Sequence, residues 1–230
     1  MKTKSNKEQI PINFSFISNK SFCNYIAGEN EIILKALKNL SKEKKANIVF
    51  LRGDKSTGKT HLCLATLENF IGKKYYLSPS NIDEFESLNF SLLEFIVIDD
   101  LDKIIIEFNQ EERIFSIIND LILRKKSILI TSTKHLNNIK FTIEDLKSRL
   151  VWDQIFEISE LDNSMKIEVL KKLSKDRGWT LTSQVCDYIM NHYKRDLYFL
   201  CNAIKSIDEK SLSMKKNITI PFVKKIMNYK

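Results

Sequence analysis

The hydrophobic pattern divides this chain near residue 160. Before that point, short apolar runs alternate with segments of helical period. Asn47–Leu51, Phe95–Ile98 and Ser127–Ile130 are continuous apolar runs of the kind expected for strands buried on both faces of a parallel sheet. Lys74–Ser78 reads as a further strand, stopped by Pro79, and Gln154–Ile158 alternates as a last one. Between them, Glu31–Leu40 places Ile32, Ile33, Ala36, Leu37 and Leu40 on one helical face. His61–Ile71 does the same with Leu62, Ala65, Leu67 and Phe70, and Gln110–Arg124 with apolar residues at 114, 115, 117, 118, 121 and 122. Thr142–Leu150 predicts a short helix opened by Thr142, with Glu144 and Asp145 in its first turn. After residue 160 the strands stop. Helices are expected over Ser164–Arg177, Thr182–Tyr193 and Lys194–Ser206. A short Asn217–Ile220 stretch and a terminal helix beginning near Pro221 follow. The pattern predicts an α/β domain with a parallel sheet over 21–160 and a small helical domain over 161–230, preceded by a polar tail, 1–20. No internal repeat is visible.

Composition narrows the class. At 230 residues and 43% hydrophobic content, the chain supports one sizeable core plus a small satellite domain. No apolar run is long enough to span a membrane, and no signal-type apolar segment follows the basic N-terminus, so a cytoplasmic protein is expected. Cys23, Cys63, Cys186 and Cys201 are scattered without metal-type pairing and read as reduced thiols. The net charge of +8 is compatible with a nucleic-acid surface. The lysines look widely spread, however, which favours solvated helix faces.

The chemistry concentrates in Gly53-Asp54-Lys55-Ser56-Thr57-Gly58-Lys59-Thr60, a G-x-x-x-x-G-K-T phosphate-binding loop. Its glycines let backbone N–H groups curl toward anionic oxygens, Lys59 reaches phosphates, and the Thr60 hydroxyl suits Mg²⁺. A strand precedes it and a helix follows, whose positive end faces the same anion. The second signal is Asp99-Asp100, at the carboxyl end of the Phe95–Ile98 strand, where ligand sites of parallel sheets lie. Asp99 is expected to hold Mg²⁺, directly or through water, and Asp100 to polarise an attacking water. A hydroxyl of Thr131-Ser132-Thr133, at the next strand end, is placed to touch the γ-phosphate or that water. In the tail, Gln9-Ile10-Pro11-Ile12-Asn13-Phe14 is one apolar cluster in a polar stretch. Peptide ligands are built this way, and so are tails that simply pack on their own domain.

Together these strings resemble an AAA+ ATPase of the replication-initiator (DnaA) clade. The sequence GKT is followed in order by VIDD, a strand ending in TST, LKSRLVW and a helical lid with an arginine. FCNYIAGEN is similar to that clade's adenine-side segment, LKSRLVWDQIF to its arginine-finger box, and NITIPFVKKIM to the end of the small Hda-type regulators. The resemblance covers nearly all of residues 9–230. It implies an AAA+ P-loop fold with a helical lid, binding ADP or ATP with Mg²⁺. It adds Tyr25, Ile26, Asn30 and His61 to the nucleotide contacts and makes Thr133, or less directly Ser132, the first sensor. It makes Arg149 a finger acting on a neighbour's nucleotide, and Arg195 the second sensor from the lid.

The loop interior DKST lacks the extra glycine common in initiators. The chain also ends where an initiator would continue into a helix-turn-helix reader, which favours a regulator. Hda-type regulators bind the replicative sliding clamp through an N-terminal hexapeptide, and Gln9, Ile10, Ile12 and Phe14 fit it, with Ile12 where leucine is usual. The resemblance therefore implies a regulator of replication initiation. Its partners would be DnaA and the β sliding clamp of DNA polymerase III, with DNA met indirectly through the clamp, no membrane, and a homodimer left open. It would stimulate hydrolysis of DnaA-bound ATP and prevent re-initiation. The alternative is an autonomous AAA+ ATPase that loads or remodels replication proteins, since Lys59, Asp99 and Asp100 are all present.

Overall fold

The computed structural model describes residues 20–42, 47–83 and 92–227. These divide into two compact units, meeting in sequence at Asp162 and Asn163.

The first unit is built on five parallel strands: β1 (Ile48–Gly53), β2 (Lys74–Leu77), β3 (Phe95–Ile98), β4 (Ser127–Ser132) and β5 (Gln154–Ile158), in the order β2-β3-β4-β1-β5. The continuous apolar runs follow from the two-residue side-chain period. Ile48, Phe50, Ile96, Ile98, Ile128 and Ile130 pack on one face with the helices α3 (Leu101–Phe108), α4 (Glu111–Leu123) and α5 (Glu144–Leu150). Val49, Leu51, Phe95, Val97, Leu129 and Ile158 pack on the other with α1 (Glu31–Lys42) and α2 (Lys59–Asn69). A strand covered on both faces needs apolar residues at every position. β5, an edge strand, is largely exposed, which is why it alternates.

The structure revises several boundaries. The α3 helix was not expected, because its apolar residues directly follow the acid pair of a strand end; Leu101, Ile104 and Ile105 are buried. The phosphate loop's first glycine is the last residue of β1, and β4 runs on through Thr131 and Ser132. Thr142 does not cap α5: it lies before the helix, and its hydroxyl donates to Glu111.

The second unit holds α6 (Asn163–Asp176), α7 (Ser183–His192), α8 (Leu197–Met214) and α9 (Ile220–Met227) around Leu170, Leu181, Ile189, Leu200, Ile204 and Phe222. Here α8 starts later and runs further than the pattern predicts. Asp196 caps it by accepting a bond from the Phe199 N–H at 2.8 Å, so Lys194 and Arg195 belong to the preceding turn. Among the described residues no helix is long and apolar enough to cross a membrane.

Candidate nucleotide site

The loop between β1 and α2 is held by its own side chains. Lys59 Nζ donates to the carbonyls of Gly53 and Asp54 at 2.8 and 2.9 Å, and Thr57 Oγ1 donates to Asp54 O at 3.0 Å. Both glycines are needed. A Cβ on Gly53 would lie 2.5 Å from Thr57 Oγ1. Gly58 has φ 92°, in the left-handed region, and a Cβ there would lie 2.9 Å from Tyr25 Cε2. Ser56 is also left-handed, at φ 69°. With α2 beginning at Lys59, the loop curls over a helix N-terminus, the backbone arrangement that receives a phosphate group. Lys59 is buried, and burial lowers its pKa against the opposing pull of Asp100, Asp99 and Asp102. A phosphate at the loop would supply the close anion that a buried ammonium lacks.

Asp99 is the centre of the second cluster. Its Oδ2 accepts from Thr60 Oγ1 and from Tyr76 OH, each at 2.7 Å. Its Oδ1 accepts from Thr131 Oγ1 at 2.5 Å and from the Cys63 thiol at 3.6 Å. Thr131 Oγ1 in turn accepts from the Asp100 N–H at 2.9 Å. Burial, and then the Asp99 charge, push the Tyr76 phenol and the Cys63 thiol well above their ordinary pKa values, so both remain protonated donors. Asp100 takes a left-handed backbone, φ 56°, and its carboxylate pairs with Lys103 at 2.5 Å. Thr60 and Asp99 are hard oxygen ligands of the kind Mg²⁺ prefers, but donors of the chain already occupy both oxygens of Asp99. Among the described residues no group of three or more His, Cys, Asp or Glu could hold a metal ion.

The adenine-side segment folds as two 3-10 turns, Phe22–Asn24 and Gly28–Asn30, with half-buried Tyr25 and Ile26 between them. The Tyr25 ring stands edge-on to His61, with centroids 5.4 Å apart, and burial raises its phenol pKa to about 12. His61 Nε2 lies 2.9 Å from Ser21 O, tying the segment to α2. Asn30 is buried and committed at both ends: its amide nitrogen donates to Ser159 O at 3.0 Å and its oxygen accepts from Ser159 N at 2.8 Å. It anchors the segment to the end of β5.

Of the expected first sensors, Thr133 donates its backbone N–H to the buried Asp102 at 3.1 Å, and Ser132 Oγ donates to Lys134 O at 2.8 Å. Thr131, one position of the same triplet earlier, contacts Asp99 itself. The sequence triplet was a sufficient signal for the strand end; which hydroxyl points inward depends on the register of β4. Asp54 and Lys55 are exposed on the loop, with Asp54 paired to Arg52 at 2.7 Å. Arg149, in the last turn of α5, lies with its guanidinium carbon 5.2 Å from the centroid of the Trp152 ring. Trp152 is 62% exposed, and Val151 and Ile155 are exposed as well, three large apolar side chains within seven positions of Arg149 that periodicity does not explain. In the helical unit, exposed Arg195 donates from Nε to Met190 O at 2.9 Å. Gln9, Ile10, Ile12 and Phe14 lie outside the described residues.

Basic residues occur throughout the chain, as expected, but the net charge does not. Of the 37 Lys and Arg and 29 Asp and Glu, 14 and 6 fall in 163–230, leaving 23 of each in 1–162. The whole +8 surplus therefore belongs to the helical segment. From Lys210 onward it contains no Asp or Glu.

A phosphate cradle and a hydroxyl–carboxylate pair at the carboxyl ends of this sheet, with a separate helical unit following, define a P-loop protein of the AAA+ class. Comparison with known proteins agrees. Residues 163–227 match the family described as "Hda, lid domain". Domain III of the Thermotoga maritima replication initiation protein DnaA superposes with a TM-score of 0.81 at 17% identity, over 92% of this chain and 96% of that one. A replication initiator DnaA bound to AMPPCP and single-stranded DNA gives a TM-score of 0.66 at 25% identity, over 85% of this chain and 67% of that one. The Thermotoga maritima RuvB branch-migration motor shares the fold, with a TM-score of 0.69 at 18% identity, over 91% of this chain and 72% of that one. An uncharacterized Haemophilus influenzae protein is 29% identical over 96% of this chain and 99% of its own length. The helical unit therefore matches an Hda-type lid, and the chain has the AAA+ fold seen in DnaA and RuvB.

Proposed function

We propose that this protein regulates replication initiation as an adaptor. Its tail hexapeptide docks on the DNA-loaded sliding clamp, and Arg149 enters the interface with DnaA-bound ATP, whose hydrolysis then ends initiation competence. The observation that carries the reading is the Hda-type lid following a DnaA-like nucleotide module. Arg149 supports it: its guanidinium lies against the exposed Trp152 ring, in the stretch that leads into the edge strand β5, as an interface residue would. The chain's own nucleotide, ADP or ATP, is then structural or switching. Pairing of Asp100 with Lys103 favours slow turnover, because the acid that would polarise water is already engaged.

The deciding experiment follows ATP bound to the cognate DnaA, with and without this protein and DNA-loaded clamp. Hydrolysis should accelerate only when both are present, and Arg149→Ala should abolish the effect while preserving nucleotide and clamp binding. Acceleration by the Arg149→Ala protein equal to the parent's rejects the finger. Rapid hydrolysis of its own ATP by the isolated protein favours the autonomous loader or remodeller instead.

A second reading, direct contact with DNA by the helical segment, is favoured by the charge segregation. Lys210, Lys215, Lys216, Lys224 and Lys225 lie in a stretch without acids, and all five are exposed. Such contact is sequence-independent and weakens steeply with salt. DNA binding in the absence of clamp that is insensitive to replacing these lysines by glutamine excludes it.

A further inference from the structure

An ionised carboxylate offers about four acceptor positions, and the chain itself fills all four on Asp99. Thr60 and Tyr76 meet Oδ2, and Thr131 and Cys63 meet Oδ1. The Thr60 and Thr131 contacts come from the loop helix and from the next strand. The Tyr76 contact is different in kind. Tyr76 lies on β2, paired with Val97 of β3, and its ring packs against the core face that carries Val97 and Leu62 while its hydroxyl reaches the oxygen that Thr60 uses. A divalent ion at Thr60 approaches Asp99 either directly or through one of its own waters, and either approach uses an acceptor position on this carboxylate. Beside Thr60 that position belongs to the phenol.

We propose that Tyr76 is a positioning residue that makes nucleotide binding by this chain nearly independent of magnesium, by occupying the Asp99 position a metal or metal-bound water would take. The inference rests on the reading of the Gly53–Thr60 loop as a nucleotide site. It gives the adaptor a nucleotide that is retained without being prepared for hydrolysis. The phosphates are held by the loop and Lys59, and the carboxylate that would recruit the ion is held by the protein.

The test uses the full chain and two readouts other than turnover. A fluorescent ADP analogue is titrated in EDTA and again in excess Mg²⁺, and Mn²⁺ binding to the protein–ADP complex is followed by electron paramagnetic resonance. For the parent, the two ADP affinities should agree within about threefold, less than the worth of one hydrogen bond to a charged group. Tyr76→Phe keeps the ring and removes the donor. It should bind Mn²⁺ roughly tenfold more tightly in the ADP complex and acquire a Mg²⁺-dependent ADP affinity. A merely structural role for Tyr76 predicts lower stability with no change in the metal response. Parent ADP affinity that rises about tenfold or more with Mg²⁺ overturns the proposal, and this arm decides alone if the variant does not fold. A folded Tyr76→Phe with parental Mn²⁺ binding overturns it too. Failure of the nucleotide reading looks different: the parent would not bind the ADP analogue under either condition, and the inference would fall with it.

Discussion

Glu111 and Thr142, 31 positions apart, are locked together through both carboxylate oxygens. The Thr142 N–H donates to Oε1 and Oε2 at 2.9 and 3.0 Å, and its hydroxyl donates to Oε2 at 2.6 Å. The next N–H, of Ile143, donates to Oε1 at 2.8 Å. A carboxylate from α4 thus fixes the two residues that lead into α5, and α5 carries Arg149.

Replacing Glu111 should therefore be costly. Glu111→Ala leaves the Thr142 and Ile143 donors without this acceptor, at an expected cost of about 1–3 kcal/mol, measured by denaturant unfolding. Burial acts to raise the Glu111 pKa, but the bonds from Thr142 and Ile143 outweigh it and hold the pKa below its ordinary value of 4.5. The lowered pKa means that the stabilisation is complete above the unfolded-state value and is lost as pH falls through the folded-state value. The stability gap between the parent and Glu111→Gln should accordingly narrow on acidification below pH 4.5. A gap that is constant with pH would show that the charge is irrelevant.

Nucleotide affinity should depend on the loop. Lys59→Ala removes the ammonium that now bonds the Gly53 and Asp54 carbonyls and should weaken ADP and ATP binding alike in calorimetry. Gly58→Ala should act through shape, combining a left-handed backbone with a contact on Tyr25. Unchanged ADP affinity in Lys59→Ala would remove the central premise of the site.

The tail should be separable from the fold. Gln9→Ala with Phe14→Ala is expected to abolish binding to the isolated sliding clamp while leaving the thermal midpoint nearly unchanged, because a docking peptide spends its contacts on its partner. A large fall in the midpoint would instead place Phe14 in the protein's own core.

Trp152 should tune the finger. Cation–π contacts at exposed sites are worth about 0.5–1 kcal/mol, so Trp152→Ala should reduce stimulation of DnaA-bound ATP hydrolysis by roughly two- to fivefold. This chain's own ADP affinity should stay unchanged. Arg149→Lys should restore little, since an ammonium lacks the planar fork that meets a phosphoryl oxygen and the face that stacks on indole. Full stimulation by Trp152→Ala would leave the stacking without a role.

Much of this protein is determined by sequence alone, where a local property carries the information. A strand covered on both faces must be apolar at every position, so β1, β3 and β4 announce themselves. A loop that brings backbone to phosphate needs glycine where a Cβ would collide, so Gly53 and Gly58 are legible as well. Asp99 and Asp100 are legible because strand ends are. The tertiary structure alone decided what those residues touch. Strand order puts β3 between β2 and β4, and that placement brings the hydroxyls of Tyr76 and Thr131 onto one carboxylate. The grip of Glu111 on Thr142 and of Asn30 on Ser159 likewise joins groups 31 and 129 positions apart. Periodicity reports which face of an element is buried; it carries no record of which distant donor completes an acceptor there, because that is settled by strand order, register and the packing of the sheet.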